Sequence, residues 1–255
     1  MYLRMFILII LINNFIFANE VITIKTRDNI NQRFLLNTVI NEPKAVAILF
    51  AGGSGKLKLH KNKDEWKLGN FLIRSRNMFN ENGIITISID SPSDLKEGMK
   101  NGFRNSKEHL EDIKNVINYI KNNYPKLPIW LVGTSRGTIS ASYNAINQSN
   151  VSGLILSSSM IINGKDTKKN VLDLDIEKIN LPTLVIAHEK DSCKVTPPNG
   201  ANKIYDKLEN AIIKEVKFFS GGYENGNPCK GQSHHGFLGI EKEVVDFISD
   251  WIKSH

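Results

Sequence analysis

Cysteine is scarce in this sequence. Its two cysteines, Cys193 and Cys229, are too few for a disulfide-dense scaffold or a four-cysteine zinc site. With 18 glycines and 8 prolines in 255 residues, collagen and low-complexity classes are excluded as well. No apolar run reaches the roughly 20 residues that a membrane-spanning helix needs. The net charge is +7, but both signs are dispersed along the chain. There is no arginine-rich stripe and no basic run interleaved with aromatics, so nucleic acid is not an expected partner. Lys61-Asn62-Lys63 and Lys168-Lys169 read as solvated loop charge.

Several catalytic signatures are missing too. His188-Glu189 is not followed by the second histidine of an HExxH zinc motif, so no metal is expected. Gly55-Lys56 resembles the end of a phosphate-binding loop. Phe50 and Leu57, however, stand where that motif requires glycine and Ser or Thr. Ser93 and Lys96 have S-x-x-K spacing, but they lie in a loop after Pro92 and lack the companion motifs. No cofactor signature remains.

What is present is an ordinary globular composition, 41% hydrophobic, behind a distinctive opening segment. Arg4 is the only charge before Glu20. It precedes the apolar run Met5–Ile12, then Asn13-Asn14 and Phe15-Ile16-Phe17-Ala18. A short positive start, an apolar centre and a small residue at the end are the pattern of a secretory signal peptide. The expected organisation is therefore a signal peptide over 1–18 and a single domain over 19–255. That domain is expected in a periplasm or outside the cell, with no membrane span left after cleavage.

Within the domain, strand and helix patterns alternate. Val21–Thr26 and Arg33–Ile40 alternate like half-buried strands. Ala45–Phe50, Ile84–Ile89, Ile129–Val132, Val151–Leu156 and Thr183–Ala187 are apolar runs of the kind buried on both sheet faces. Ile212–Phe219 is a further strand. Glu65–Asn82, Thr138–Asn147 and a segment from Pro197-Pro198 to Glu209 read as helices. Ser106–Asn123 is amphipathic, with Leu110, Ile113, Val116, Ile117 and Ile120 on one face and Ser106 suited to the N-cap. Ile240–Ile252 closes the chain as another amphipathic helix. This alternation predicts an α/β fold: a mostly parallel central sheet with helices on both faces. The stretch Ser158–Asn180 is too short for a large cap domain.

The chemistry falls at strand ends. Gly133-Thr134-Ser135-Arg136-Gly137 follows a buried strand and precedes a helix, the context of a nucleophile elbow. Flanking glycines leave room for a tight turn that lifts the serine hydroxyl above the sheet. A serine needs a base, and the base needs an orienting carboxylate. Asp191 follows the strand ending at Ala187, and Ser233-His234-His235-Gly236-Phe237 follows the last strand. Serine, acid and histidine thus arrive in the order this elbow requires.

With these residues the chain resembles the α/β-hydrolases, in particular small secreted bacterial hydrolases of the dienelactone-hydrolase-like type. The resemblance spans about Val21 to Lys253. It implies Ser135 as nucleophile, Asp191 as acid and His235, the histidine directly before Gly-Phe, as base in preference to His234. It implies an oxyanion hole made by the backbone N–H groups of Arg136 and Gly53. Ala51 stands where related esterases carry a histidine. If both triad loops converge over the nucleophile, Cys193 and Cys229 come near each other and bridge in an oxidising compartment. The expected activity is cleavage of carboxylic esters on small acyl substrates through an acyl-enzyme. The alternatives are amide or peptide hydrolysis on the same fold, or a catalytically silent binding protein.

Overall fold

The structure is a computed structural model of the chain. It describes residues 19–39, 42–63, 66, 69–164 and 168–255. The expected signal peptide lies outside these residues.

Eight strands form one sheet: β1 (Asn19–Arg27), β2 (Ile30–Asn37), β3 (Ala45–Phe50), β4 (Ile84–Ile89), β5 (Ile129–Thr134), β6 (Gly153–Ser157), β7 (Thr183–His188) and β8 (Lys214–Phe219). Their order is β1-β2-β4-β3-β5-β6-β7-β8. β1 pairs antiparallel with β2, and β2 with β4, while every later pair is parallel. The parallel pairs follow from the βα alternation, because each crossover helix returns the chain to the same end of the sheet.

The two-residue period of a strand sorts the apolar runs onto two faces. In the β3–β5 register, Ile48 lies opposite Leu131 and Leu49 opposite Val132. Val46, Ile48, Phe50, Ile129 and Leu131 enter one core. That core is covered by α4 (Lys107–Asn123), α5 (Gly137–Asn147) and α6 (Gly200–Lys207). Ala45, Ala47, Leu49, Trp130 and Val132 enter the other. It is covered by α1 (Phe71–Arg74), α2 (Arg76–Glu81) and α7 (Glu241–Ser254). A short helix α3 (Asn101–Arg104) precedes α4. β8 is an edge strand whose Lys214, Glu215 and Lys217 remain partly exposed, a charged border that discourages further strand pairing.

α4 begins where its cap predicts, with Ser106 Oγ accepting from the His109 N–H at 3.2 Å. The region 65–82 departs from a single helix. Asn70 caps α1, the chain breaks at Ser75, and α2 follows. Glu65 lies outside the described residues. Pro197 and Pro198 form the turn before α6 rather than its first residues, accepting from the N–H groups of Gly200 and Ala201. Residues 168–180 cross over with two single 3₁₀ turns, Val171–Asp173 and Ile176–Lys178.

Candidate active site

The turn from β5 into α5 places Ser135 at the C-terminal end of the parallel sheet. Ser135 has φ +54°, a left-handed conformation that costs on the order of 1–2 kcal/mol for a non-glycine residue. Close packing around the turn enforces it. A Cβ on Gly137 would stand 1.9 Å from the Phe50 carbonyl oxygen, and one on Gly133 would stand 2.7 Å from the Gly137 carbonyl oxygen. Only glycine lets β3, β5 and α5 meet here. The Ser135 N–H donates to Ser157 O at 3.1 Å, which ties the strained residue to the neighbouring strand end.

Asp191 follows β7 and is buried. Its Oδ1 accepts from the Cys193 N–H at 2.9 Å. Its Oδ2 lies 2.8 Å from His235 Nδ1 and accepts from the Thr196 hydroxyl at 3.0 Å. The carboxylate is thus ringed by hydrogen-bonding groups. His235 is also buried, in a 3₁₀ turn spanning His234–Gly236. Its backbone is pinned on both sides: Ser233 Oγ accepts from its N–H, and Ser158 Oγ donates to its carbonyl at 2.8 Å. Arg74 Nη2 donates to the adjacent Gly236 carbonyl at 2.6 Å. Buried Phe237 fixes the far end of the turn by packing on Phe71 and Phe219.

His234 has different company. It stacks on His188, with ring centroids 4.4 Å apart, and its Nδ1 lies 3.3 Å from Glu224. His188 accepts from the Lys190 N–H through Nδ1, which leaves Nε2–H to donate to the Gly221 carbonyl. Burial lowers its pKa below the usual histidine value.

Ser135 and His235 line one cavity of about 600 Å³. Its walls also include Gly52, Gly53, Lys56, Trp66, Asn70 and Lys230. The Arg136 and Gly53 N–H groups have no acceptor among the described residues. Cys193 and Cys229 form a disulfide with Cα atoms 4.7 Å apart, linking the loop of Asp191 to the loop that leads into His235. Thr196 is the site residue that sequence reasoning missed. A lone threonine five residues past an aspartate carries no motif, and only the folding of the loop turns it onto the carboxylate.

The sheet order, the helices on both faces and the turn at Ser135 give the chain the α/β-hydrolase fold. A serine aminopeptidase family model matches residues 77–174. No curated protein matches the chain. Solved structures do share the fold. An esterase from Pyrococcus furiosus is 15% identical, with a TM-score of 0.68 over 93% of this chain and 91% of that one. A thermostable carboxyl esterase from Bacillus coagulans is 15% identical, with a TM-score of 0.65 over 93% and 98%. A dienelactone hydrolase from Anabaena variabilis is 13% identical, with a TM-score of 0.64 over 94% and 98%.

Proposed function

We propose that this protein is an exported serine hydrolase that cleaves carboxylic esters through an acyl-enzyme. One observation carries the reading: a left-handed Ser135 shares a cavity with His235, whose Nδ1 is held 2.8 Å from Asp191. With Nδ1–H committed to Asp191, Nε2 is the free lone pair of the ring and serves as base. Ser135 Oγ attacks the ester carbonyl and passes its proton to His235. The carbonyl oxygen gains a negative charge, which the Arg136 and Gly53 N–H groups stabilise. The tetrahedral intermediate then collapses, and His235 returns the proton to the departing alcohol. Water deprotonated by His235 attacks the acyl-Ser135, and the second tetrahedral intermediate collapses with His235 returning the proton to the departing Ser135 Oγ, which releases the acid and restores the serine hydroxyl. Asp191 keeps the tautomer fixed and stabilises the imidazolium.

Export rests on the opening segment, 1–18, and fits a chain whose two cysteines pair. No helix among the described residues is long and apolar enough to cross a membrane. A second reading, amide or peptide cleavage at the same serine, is favoured by the description of the matching family model.

The test is fluorophosphonate labelling of wild type and Ser135→Ala, followed by turnover of short p-nitrophenyl esters against peptide anilides. Labelling that vanishes with Ser135→Ala, together with faster ester turnover, is the expected result. Equal labelling of both proteins rules out Ser135 as nucleophile. Faster anilide turnover transfers the assignment to the amide reading.

A further inference from the structure

Arg104 ends α3 and is fully buried. Its Nη1 donates to Ser140 Oγ at 3.0 Å, and its Nη2 donates to the carbonyl oxygens of Ala51 at 3.1 Å and Gly53 at 3.2 Å. Among the described residues Nε has no partner and no carboxylate pairs with the guanidinium. A buried charge without a counter-ion carries a desolvation penalty, which a methionine of similar volume would avoid. Burial, and behind it the charge of Arg136, pushes its pKa down to about 9, so it still carries its proton at neutral pH. A residue so unfavourable for folding calls for a role in function.

We propose that Arg104 is the positioning residue of the oxyanion hole, a role that rests on the serine-hydrolase reading above. Its acceptors belong to the two halves of that hole. Ala51 and Gly53 are on the loop after β3, which carries the Gly53 N–H. Ser140 is in the first turns of α5, one turn beyond the Arg136 N–H. The planar fork of a guanidinium sets the angle between its acceptors, so one side chain holds both halves in register. Drawing the Ala51 and Gly53 carbonyls onto Arg104 also turns their negative ends away from the oxygen that becomes charged. The positive charge behind the loop favours that oxyanion through a low-dielectric medium.

The surroundings are built for this contact. Gly55 has φ +68°, and a Cβ there would stand 2.7 Å from Arg104 Nη2. The nearest atom to such a Cβ is Met99 Cε at 2.4 Å, and the left-handed backbone itself favours glycine, which leaves the guanidinium room beneath the loop. The segment leading into α3 adds a second tie, with the Met99 N–H donating to Ser54 O at 2.8 Å. From the other side buried Asp90 accepts from the N–H groups of Leu57 at 2.6 Å and Leu59 at 2.8 Å. The loop is thus held through its carbonyls by a cation and through its amides by a carboxylate.

The test compares wild type, Arg104→Lys, Arg104→Gln and Ser140→Ala. It measures kcat and KM on a short p-nitrophenyl ester and affinity for an alkyl boronic acid, whose adduct with serine is tetrahedral and anionic. For Arg104→Gln, kcat should fall by about 100-fold, the scale of losing one oxyanion donor, with KM changed less than about threefold. Boronate affinity should fall by a matching factor. Arg104→Lys should restore about tenfold of that loss, because it returns the charge without the fork. Ser140→Ala removes one acceptor and should lower kcat and boronate affinity together by about threefold. It decides the question if Arg104→Gln does not fold. The proposal is overturned by a folded Arg104→Gln with wild-type kcat, by a fall in kcat without a fall in boronate affinity, or by a Ser140→Ala that changes neither. A wild type inactive on every ester and unlabelled at Ser135 overturns the hydrolase reading and this inference with it. An active wild type with an unimpaired Arg104→Gln overturns this inference alone.

Discussion

The Thr196 hydroxyl sits 3.0 Å from Asp191 Oδ2, on the same oxygen that faces His235 Nδ1. All three side chains are buried, so losing the hydroxyl takes a donor from a buried carboxylate. Thr196→Val keeps the shape and removes the donor. We expect kcat/KM to fall by about tenfold, the value of one hydrogen bond to a charged group. Thr196→Ser should stay within about threefold of wild type, since it keeps the hydroxyl. Steady-state kinetics of the two variants check this. Equal losses in both would assign the effect to packing.

The Cys193–Cys229 bridge closes a 36-residue separation between the Asp191 loop and the loop that leads into His235. On the chain-entropy account, such a cross-link stabilises by about 3–4 kcal/mol. The double variant Cys193→Ser, Cys229→Ser should therefore unfold at lower denaturant concentration, by a shift of that size. Cys193 also gives its N–H to Asp191, so reduction of the wild type should slow turnover before it unfolds the domain. Denaturant melts with and without reductant, followed by residual activity, check both parts. Non-reducing mass mapping that finds two free thiols in the purified protein would remove the basis of the prediction.

Much of this architecture is legible in the sequence because the signals are local. A buried strand announces itself by an unbroken apolar run, as at Ala45–Phe50, and the elbow by two glycines around a serine at a strand-to-helix junction. Asp191 and His235 are legible by chain order. Arg104 is not, because an isolated arginine in a sequence reads as exposed charge. Its burial depends on where α3 docks under the β3 loop, which no local pattern encodes. Thr196 fails for the same reason. The split at Ser75 is hidden because both halves of 71–81 share the apolar character of one helix, and only tertiary packing breaks them apart.

Gly137 gives the sharpest steric prediction. Its α-carbon passes so near β3 that a methyl group would overlap the Phe50 carbonyl oxygen at 1.9 Å. Backbone cannot yield as a flexible side chain would. Gly137→Ala should destabilise by at least about 3 kcal/mol, the upper range for overpacking a core. Any folded fraction should have a displaced Ser135 and slow labelling by fluorophosphonate. A variant as stable and as reactive as wild type would mean that the elbow packs differently.

His109 gives the pH prediction. It is fully buried between the rings of Phe50 and Phe103, and among the described residues neither ring nitrogen has a partner. Burial, reinforced by the charges of Arg104 and Arg27, lowers its pKa to about 3. In the unfolded chain the ring titrates near its ordinary value of about 6.5. The folded state therefore binds a proton less readily. The stability this neutral ring contributes is fully present above pH 6.5 and is lost as the pH falls toward 3. The slope from this one group reaches about 1.4 kcal/mol per pH unit within that window. His109→Phe fills the same aromatic slot with no titrating group. Its unfolding free energy should fall less steeply than that of wild type between pH 6.5 and pH 3, with the two curves parallel above pH 7. Denaturant melts across this range check it, and identical slopes for the two proteins would show that His109 is not the group that titrates.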